Sequence, residues 1–121
     1  MDAKAIRERL LRDRSDLERT VQRIRERLAM PQRSSGGDFA LADQHPAEIA
    51  SETEAHELDQ ARKAMFEARI ALIDKALERL ERGRYGRCVV CGKRIPDERL
   101  ELVLETPYCV EDAERQQARA S

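Results

Sequence analysis

The sequence contains no tryptophan and few other aromatic residues, which together make up 3% of the chain. Aromatic side chains bury the largest areas in a globular core, so their scarcity argues against a broad core. Charged residues account for 39% of the 121 positions and apolar residues for 40%. Because the apolar residues recur periodically, the composition favours long helices with narrow apolar seams over a disordered chain.

An excess of positive charge is also missing. Lys and Arg number 23 against 24 Asp and Glu, which gives a net charge of -1. Proteins that hold nucleic acid through its phosphates carry a basic surface, so this balance removes the electrostatic basis for a general nucleic-acid binder. We therefore expect no direct sequence-specific binding to DNA.

Long apolar runs are absent as well. The first residues, MDAKAIRERL, are charged from the second position, and we expect neither a signal peptide nor a membrane span. These features predict a cytoplasmic protein. Three cysteines within 22 residues are poor disulfide material in a reducing compartment, so metal binding is the favoured use of the cluster.

Two helices are predicted in the first two thirds of the chain. A seven-residue apolar period over residues 3–30 predicts a helix of about 28 residues, which Pro31 and the following Ser-Ser-Gly-Gly end. A second helix is predicted from near Pro46 to about Arg82. The seams consist of Ile6, Leu10, Leu17, Val21, Ile24 and Leu28 in the first helix, and of Phe66, Ile70, Ile73, Leu77 and Leu80 in the second, extended by Leu58, Met65 and Leu72.

Two helices of similar length joined by one loop bury single apolar stripes most simply against each other. The fold class expected is therefore mainly α: an antiparallel two-helix coiled-coil hairpin over residues 1–82, with a tip loop at about 30–48. We expect a monomer. A coiled-coil dimer acting as a structural adaptor is the alternative, but it needs a seam that continues to the tip, and residues 51–57 are polar.

A zinc-finger module is predicted for residues 83–121. Cys88 and Cys91 form a Cys-x-x-Cys pair followed by Gly92, an arrangement that turns two thiolates onto one ion. Cys109 follows after a seventeen-residue spacer, and Asp112 stands where a fourth cysteine is usual. This spacing lies within the range typical of structural zinc sites, so we expect one structural Zn²⁺ per chain.

The fourth ligand is open at this stage. Asp112 can complete a tetrahedron because carboxylate oxygen is an accepted zinc ligand. Alternatively, Glu111 or a water fills the position and Asp112 only complements the dipole of a helix start, or the site is empty and its cysteines are reduced. A catalytic zinc is disfavoured, because no histidine accompanies the cluster and no substrate pocket is indicated; we expect no enzyme.

Between the two half-sites, the segment ERLELVLETPYC is predicted to form one or two short strands with a turn at Thr106 and Pro107. A terminal helix is predicted over VEDAERQQARA. Ligands supplied by a knuckle and by a helix start are typical of a zinc-ribbon or treble-clef-like module.

A helical hairpin running into GRYGRCVVCG, followed by RLE and YCVED, resembles the DksA/TraR family of zinc-finger transcription regulators over about residues 40–115. The resemblance implies binding to bacterial RNA polymerase rather than to DNA. It implies that the hairpin enters the secondary channel, so that its tip approaches the active site while the zinc module rests on the rim. The long amino-terminal extension of larger members is expected to be missing.

The resemblance also implies a role for the tip. In one branch of the family the tip carries an Asp-x-x-Asp-x-Ala motif, and counting back from the first cysteine places His45, Glu48 and Ala50 at its marked positions. The segment is closer to a second branch with an Asn-His-Pro-Ala-Asp type of tip. A carboxylate there could perturb the polymerase's bound Mg²⁺; the alternative is that Glu48 and Glu52 are ordinary acids at a helix start.

Members of the family that act with the alarmone ppGpp use basic residues near the zinc module. The corresponding positions are Leu72, Val103 and Ala113, none of which is basic, although Arg99 lies in the matching turn.

An alternative function is that of a zinc and thiol redox-sensing adaptor, in which loss of zinc lets Cys88 and Cys91 form a disulfide.

Overall fold

The computed structural model describes residues 2–31 and 46–120, and for residues 46–50 it describes the backbone alone. Its helices are α1 (Ala3–Ala29), α2 (Pro46–Glu81), α3 (Asp97–Leu102) and α4 (Val110–Ala120). The expected mainly α class is confirmed. Most of the predicted tip loop falls outside the described residues.

Helices α1, α2 and α4 agree with the sequence-based boundaries to within one residue. Proline is favourable at the first position of α2 because the N–H that it lacks has no helical partner there. Within the described residues, none of the helices combines the length and apolar character needed to cross a bilayer.

Two compact units divide the chain. One consists of Met1–Asp16 together with Arg69–Ser121, and the other of Leu17–Ala68. Each unit therefore contains a part of α1 and a part of α2. The expected boundary at residue 82 concerns independent folding and stays a prediction.

In the unit formed by Leu17–Ala68, the apolar stripe of α1 is buried through Leu17, Val21 and Ile24. Ion pairs flank this stripe and define the direction of the two helices. Arg25 Nη2 lies 3.4 Å from Glu67 Oε2, whereas Arg27, further along α1, pairs with Asp59, which lies earlier in α2. The two segments are therefore antiparallel.

In the other unit, the beginning of α1 meets the end of α2 in the same way. Ile6 and Leu10 of α1 are buried, as are Ile73 and Ala76 of α2. Arg14 pairs with Asp74 through Nε and Nη2. The apolar seam with flanking charge pairs is the arrangement expected of a coiled coil.

The extension of the α2 seam through Leu58 and Met65 is wrong. These side chains are 59% and 56% exposed, whereas Ile73 is fully buried. Met65 and Leu58 lie seven and fourteen residues before Leu72, so the three share one stripe. The stripe that contains Ile73 passes through the next residue in each case. One residue turns a helix by about 100°, so this second stripe points away from the partner helix.

The predicted strands between the zinc half-sites are also wrong. Residues 97–102 form helix α3, and in the described part of the module the only extended pairing is an isolated antiparallel bridge between Arg87 and Arg94. Pro96 stands before the helix, and Asp97 and Glu98 occupy its first turn, where acids are favourable. The alternating leucines are ambiguous because positions four apart share a face in a helix as well as in a strand.

We predict that Ile73→Ala lowers the free energy of unfolding by about 2–5 kcal/mol, because it removes a buried side chain and leaves a cavity. Met65→Ala, on the exposed stripe of the same helix, is the matched control and should change it by about 0.5 kcal/mol or less. Urea denaturation followed by circular dichroism measures both. Equal losses would contradict the assignment of the buried face.

Candidate metal centre

The four residues predicted as ligands lie together. The Sγ atoms of Cys88, Cys91 and Cys109 and a carboxylate oxygen of Asp112 are all within 4.8 Å of one another. The structure thus brings together side chains up to 24 residues apart in sequence at one point.

The first two cysteines are carried by a tight turn. The Gly92 N–H donates to the Cys88 carbonyl at 2.9 Å, and the Cys88 N–H donates to the Lys93 carbonyl at 2.9 Å. Gly92 has a φ of +75°, which side-chain-bearing residues rarely adopt. The glycine thus lets the chain reverse immediately after Cys91, as the knuckle prediction requires.

The other two candidates come from the start of α4. The Ala113 N–H donates to the Cys109 carbonyl at 2.9 Å, so Cys109 immediately precedes the helix and Asp112 lies in its first turn. On this turn the two side chains are three residues apart and therefore share a face.

The carboxylate of Asp112 is buried, with 2% of the residue exposed, and its two oxygens have different partners. Oδ2 accepts from the Cys88 thiol at 3.0 Å and from the Cys109 thiol at 3.2 Å. Oδ1 accepts from Arg115 Nη1 at 2.8 Å. Asp112 is therefore more than an exposed acid at a helix start, since one oxygen faces the sulfurs while the other is held by an arginine.

Glu111 is exposed, and it is not among the clustered donors. The geometry therefore favours Asp112 over Glu111 as the fourth donor. Arg115 is a partner that the sequence-based interpretation does not contain. Its spacing of three from an acid on a predicted helix is the signal that could have indicated it.

The electrostatics of the cluster favour an ionised carboxylate. Hydrogen bonds from the Cys88 thiol, and then from Cys109 and Cys91, hold the pKa of Asp112 well below its usual range. Burial raises the pKa of the Cys88 thiol, but hydrogen bonds from backbone N–H groups, first that of Cys91, outweigh it and leave that pKa lowered. N–H groups aimed at a sulfur stabilise its thiolate, which is the form that binds metal.

This donor set fits Zn²⁺. With Zn–S bonds of about 2.3 Å, two sulfurs of a tetrahedron stand about 3.8 Å apart. The observed separation between the Cys91 and Cys109 sulfurs is 3.9 Å. The sulfurs of Cys88 and Cys109 lie 3.0 and 3.2 Å from Asp112 Oδ2. These separations are shorter than the tetrahedral value by about 0.3–0.5 Å, a difference within reach of side-chain rotation.

Arg99 positions the approach to Cys109. Its Nε donates to the Tyr108 carbonyl at 3.0 Å, and its Nη2 lies 3.4 Å from Thr106 Oγ1. The Val89 N–H donates to the Pro107 carbonyl at 2.9 Å, which joins this segment to the knuckle. The side chain of Arg99 thus joins α3 to the segment before Cys109, and a backbone hydrogen bond joins that segment to the knuckle.

The residues at the positions that the resemblance associates with ppGpp offer no cation. Leu72 and Ala113 are half-buried and Val103 is 42% exposed. The predicted tip residues cannot be placed in the same way. His45 lies outside the described residues, and Glu48 and Ala50 lie in the first turns of α2, where only the backbone is described.

The model of the prokaryotic dksA/traR C4-type zinc-finger family matches residues 83–118, which include all four clustered residues. A solved structure of transcription factor DksA2 from Pseudomonas aeruginosa is similar over 98% of this chain and 84% of that chain, with 30% identity and a TM-score of 0.69. The chain belongs to the DksA/TraR family. The resemblance predicted from the sequence is confirmed.

Two curated proteins are similar over shorter stretches. The protein YteA of Bacillus subtilis is 38% identical over 69 residues, and a protein of Aquifex aeolicus is 50% identical over 42 residues. These matches cover 57% and 35% of this chain, and each spans 29% of the relative's own length.

Within the DksA/TraR family, this chain departs from the C4 pattern at one position. The family's finger is of the C4 type, whereas the fourth side chain of the cluster here is Asp112, a carboxylate. Carboxylate oxygen is a harder ligand than thiolate, and zinc is of borderline softness. A finger of this kind should hold zinc less tightly than one with four cysteines.

We predict that Asp112→Ala weakens zinc binding by at least about tenfold, since even partners of ligands contribute 10–100-fold to metal affinity. Asp112→Cys should strengthen it, because a thiolate completes a four-sulfur site. Competition with a chromogenic chelator measures both dissociation constants. Glu111→Ala is the matched control, and it should bind zinc as the native protein does; if Glu111→Ala weakened binding and Asp112→Ala did not, the fourth ligand would be Glu111.

Proposed function

We propose that this protein is a transcription regulator that binds bacterial RNA polymerase. The observation that carries the proposal is the similarity to a transcription factor over 98% of the chain, which includes the helical segments as well as the finger. A match confined to residues 83–118 would support only a zinc finger; the longer match supports a shared use of the helices.

In this proposal the metal is structural. Cys88, Cys91, Cys109 and Asp112 hold one Zn²⁺ per chain, and the ion supplies a cross-link between the knuckle and the start of α4. The buried cluster beside the cysteines consists of Cys88, Ile95 and Leu100, with Tyr85 and Tyr108 packed against it. A core of this size is too small to hold a module together without a metal or another cross-link.

Helices α1 and α2 form the part that enters the polymerase. Following the family resemblance, the tip passes through the secondary channel toward the active site, and the zinc module contacts the rim. His45, Glu48 and Ala50 are the residues that face the active site. A carboxylate brought near a bound Mg²⁺ changes the local field of that ion, which gives Glu48 a means of acting on initiation.

Several properties follow from this role. Because the target is the polymerase, the protein works in the cytoplasm as a monomer and makes no sequence-specific contact with DNA. It has no catalytic activity of its own. The near-neutral charge of the chain is consistent with a protein partner.

The direct test is retention of purified core RNA polymerase on the immobilised protein, with zinc present and at moderate salt. We expect stoichiometric binding, and Cys91→Ser should lose it because the module no longer holds its shape. No binding of core enzyme by the zinc-loaded native protein would refute the proposal.

We predict that Glu48→Ala leaves the affinity for polymerase within a few-fold, because a single ion pair at a protein surface contributes at most about 1 kcal/mol. Its effect on transcription from a short-lived open complex should fall sharply. Glu57→Ala removes an exposed acid further along α2 and is the matched control. If Glu48→Ala at saturating concentration kept the full effect on transcription, the carboxylate would not be the active group. The protein would then regulate by blocking the channel sterically.

A second candidate function, a thiol redox sensor, is favoured by the accessibility of one sulfur pair. Cys91 is exposed, and its Sγ lies 3.9 Å from that of Cys109, whereas Cys88 is buried against Asp112. Oxidation by hydrogen peroxide would join two thiols in a disulfide and give two waters. Peptide mapping after mild peroxide should then find Cys91 paired with Cys109 rather than with Cys88, together with reversible zinc release.

A further inference from the structure

A group of arginines surrounds a cavity at the end of α2. The Gly83 N–H donates to the Leu80 carbonyl at 3.3 Å, and the Arg84 N–H donates to the Arg79 carbonyl at 2.8 Å. With a φ of +69° at Gly83, this is a Schellman turn. The turn folds Arg84 back toward Arg79, while Arg82 stands one helical turn after Arg79.

Arg79 is the most unusual member of the group. Among the side chains that the structure describes, its Nε is a buried nitrogen without a hydrogen-bond partner. Buried polar groups in native proteins nearly always have a partner, and an unpartnered one carries a desolvation cost. Burial accordingly lowers the pKa of Arg79, against the influence of Tyr85, which raises it.

The neighbouring arginines do not have acidic partners either. Within the described part of the chain, the side chains of Arg82 and Arg84 form neither an ion pair nor a hydrogen bond, and that of Arg87 donates only to the Gly92 carbonyl, at 3.4 Å. Glu78 is the acid that lines the same cavity. The lining therefore carries four guanidinium groups against one carboxylate.

The cavity itself has a volume of about 480 Å³ and is bordered on its other side by Val89 and the knuckle turn. Small-molecule sites usually span about 300–1,000 Å³ and combine a few polar groups with apolar surface. A bare phosphate is much smaller than this cavity, so the space suits a phosphate group attached to an organic moiety that contacts Val89.

We propose that this cavity, lined by Arg79, Arg82, Arg84 and Arg87, binds a small phosphorylated organic molecule through its phosphate oxygens. Guanidinium groups match phosphate in charge and in bidentate geometry. An anion in the cavity offsets the desolvation of Arg79 and the mutual repulsion of the arginines. The site does not overlap with Leu72, Val103 or Ala113, and it does not depend on binding to polymerase.

Two other roles of the arginines make different predictions. Cations at the end of a helix stabilise its dipole, and cations beside a zinc centre rich in thiolates balance its negative charge. Either role is complete without a ligand. The arginines would then matter for stability or zinc retention, and phosphate compounds would bind no better here than elsewhere on the protein.

The test uses isothermal titration of the zinc-loaded protein with inorganic pyrophosphate and with ADP. We expect both to bind, ADP more tightly because its nucleoside adds contacts to the phosphate bonds. Arg82→Gln combined with Arg84→Gln should weaken binding at least about tenfold, since it removes two charged hydrogen-bonding groups. Both side chains are exposed, so the variant should keep its helical signal and its zinc.

Arg7→Gln combined with Arg12→Gln is the matched control, since it removes the same charge from exposed positions of α1. Equal weakening in both double variants would reduce the effect to net charge and overturn the proposal. Failure of the native protein to bind either compound would also overturn it. A single-stranded oligonucleotide that bound more tightly than ADP would assign the surface to a nucleic-acid backbone instead, which contradicts a small-molecule site.

Arg79→Lys keeps the charge but replaces the planar fork with a point charge. We expect it to weaken pyrophosphate binding while leaving zinc retention unchanged. Loss of zinc from Arg79→Lys or from the Arg82 and Arg84 double variant, without any loss of ligand binding, would show that the arginines support the metal centre and would overturn the proposal.

Discussion

The meeting of three sulfurs and one carboxylate is the constraint on which the carboxy-terminal module depends. The knuckle supplies Cys88 and Cys91, and the start of α4 supplies Cys109 and Asp112. Between these half-sites lies a single short helix, α3, and the described part of the module has one isolated bridge, which pairs Arg87 with Arg94 on either side of the knuckle. With so little regular backbone pairing in the module, a metal cross-link does what a sheet or a larger core does in other small domains.

The side chains around the cluster are arranged to hold the half-sites at this separation. Arg99 fixes the carbonyl of Tyr108, directly before Cys109, and the Tyr85 hydroxyl donates to the Leu104 carbonyl at 2.9 Å. Burial raises the pKa of Tyr85 to about 12, so this hydroxyl stays protonated and remains a donor throughout the neutral range. Side chains bonded to backbone carbonyls thus add to the backbone hydrogen bonds that present the ligands.

How far the sequence predicts the fold depends on how many structures a local pattern allows. The heptads predict α1 and most of the α2 seam, because few structures other than a helix place residues seven apart on one face. They do not separate the stripe of Leu58 and Met65 from the seam beside it, since both repeat every seven residues. The leucines at 100, 102 and 104 fit a strand or a helix equally. A strand would place all three on one face, whereas in the structure α3 ends at Leu102, which is exposed, while Leu100 and Leu104 are buried.

The ligand cluster is predictable because zinc constrains spacing, but the environment of its fourth member is not. Sequence spacing leaves Asp112, Glu111 and water as alternatives, and the burial of Asp112 and its contact with Arg115 favour Asp112. That arginine takes one carboxylate oxygen and leaves the other directed at the sulfurs. An aspartate in place of a cysteine keeps the negative charge of the four side chains but is expected to lower the affinity for zinc. The Arg115 bond partly offsets this loss by fixing the carboxylate's orientation, while it also withdraws negative charge from the oxygen that would bind. With Asp112 as the proposed fourth ligand, we expect the affinity for zinc to depend on Arg115, a residue outside the metal-binding pattern, as well as on the four donors.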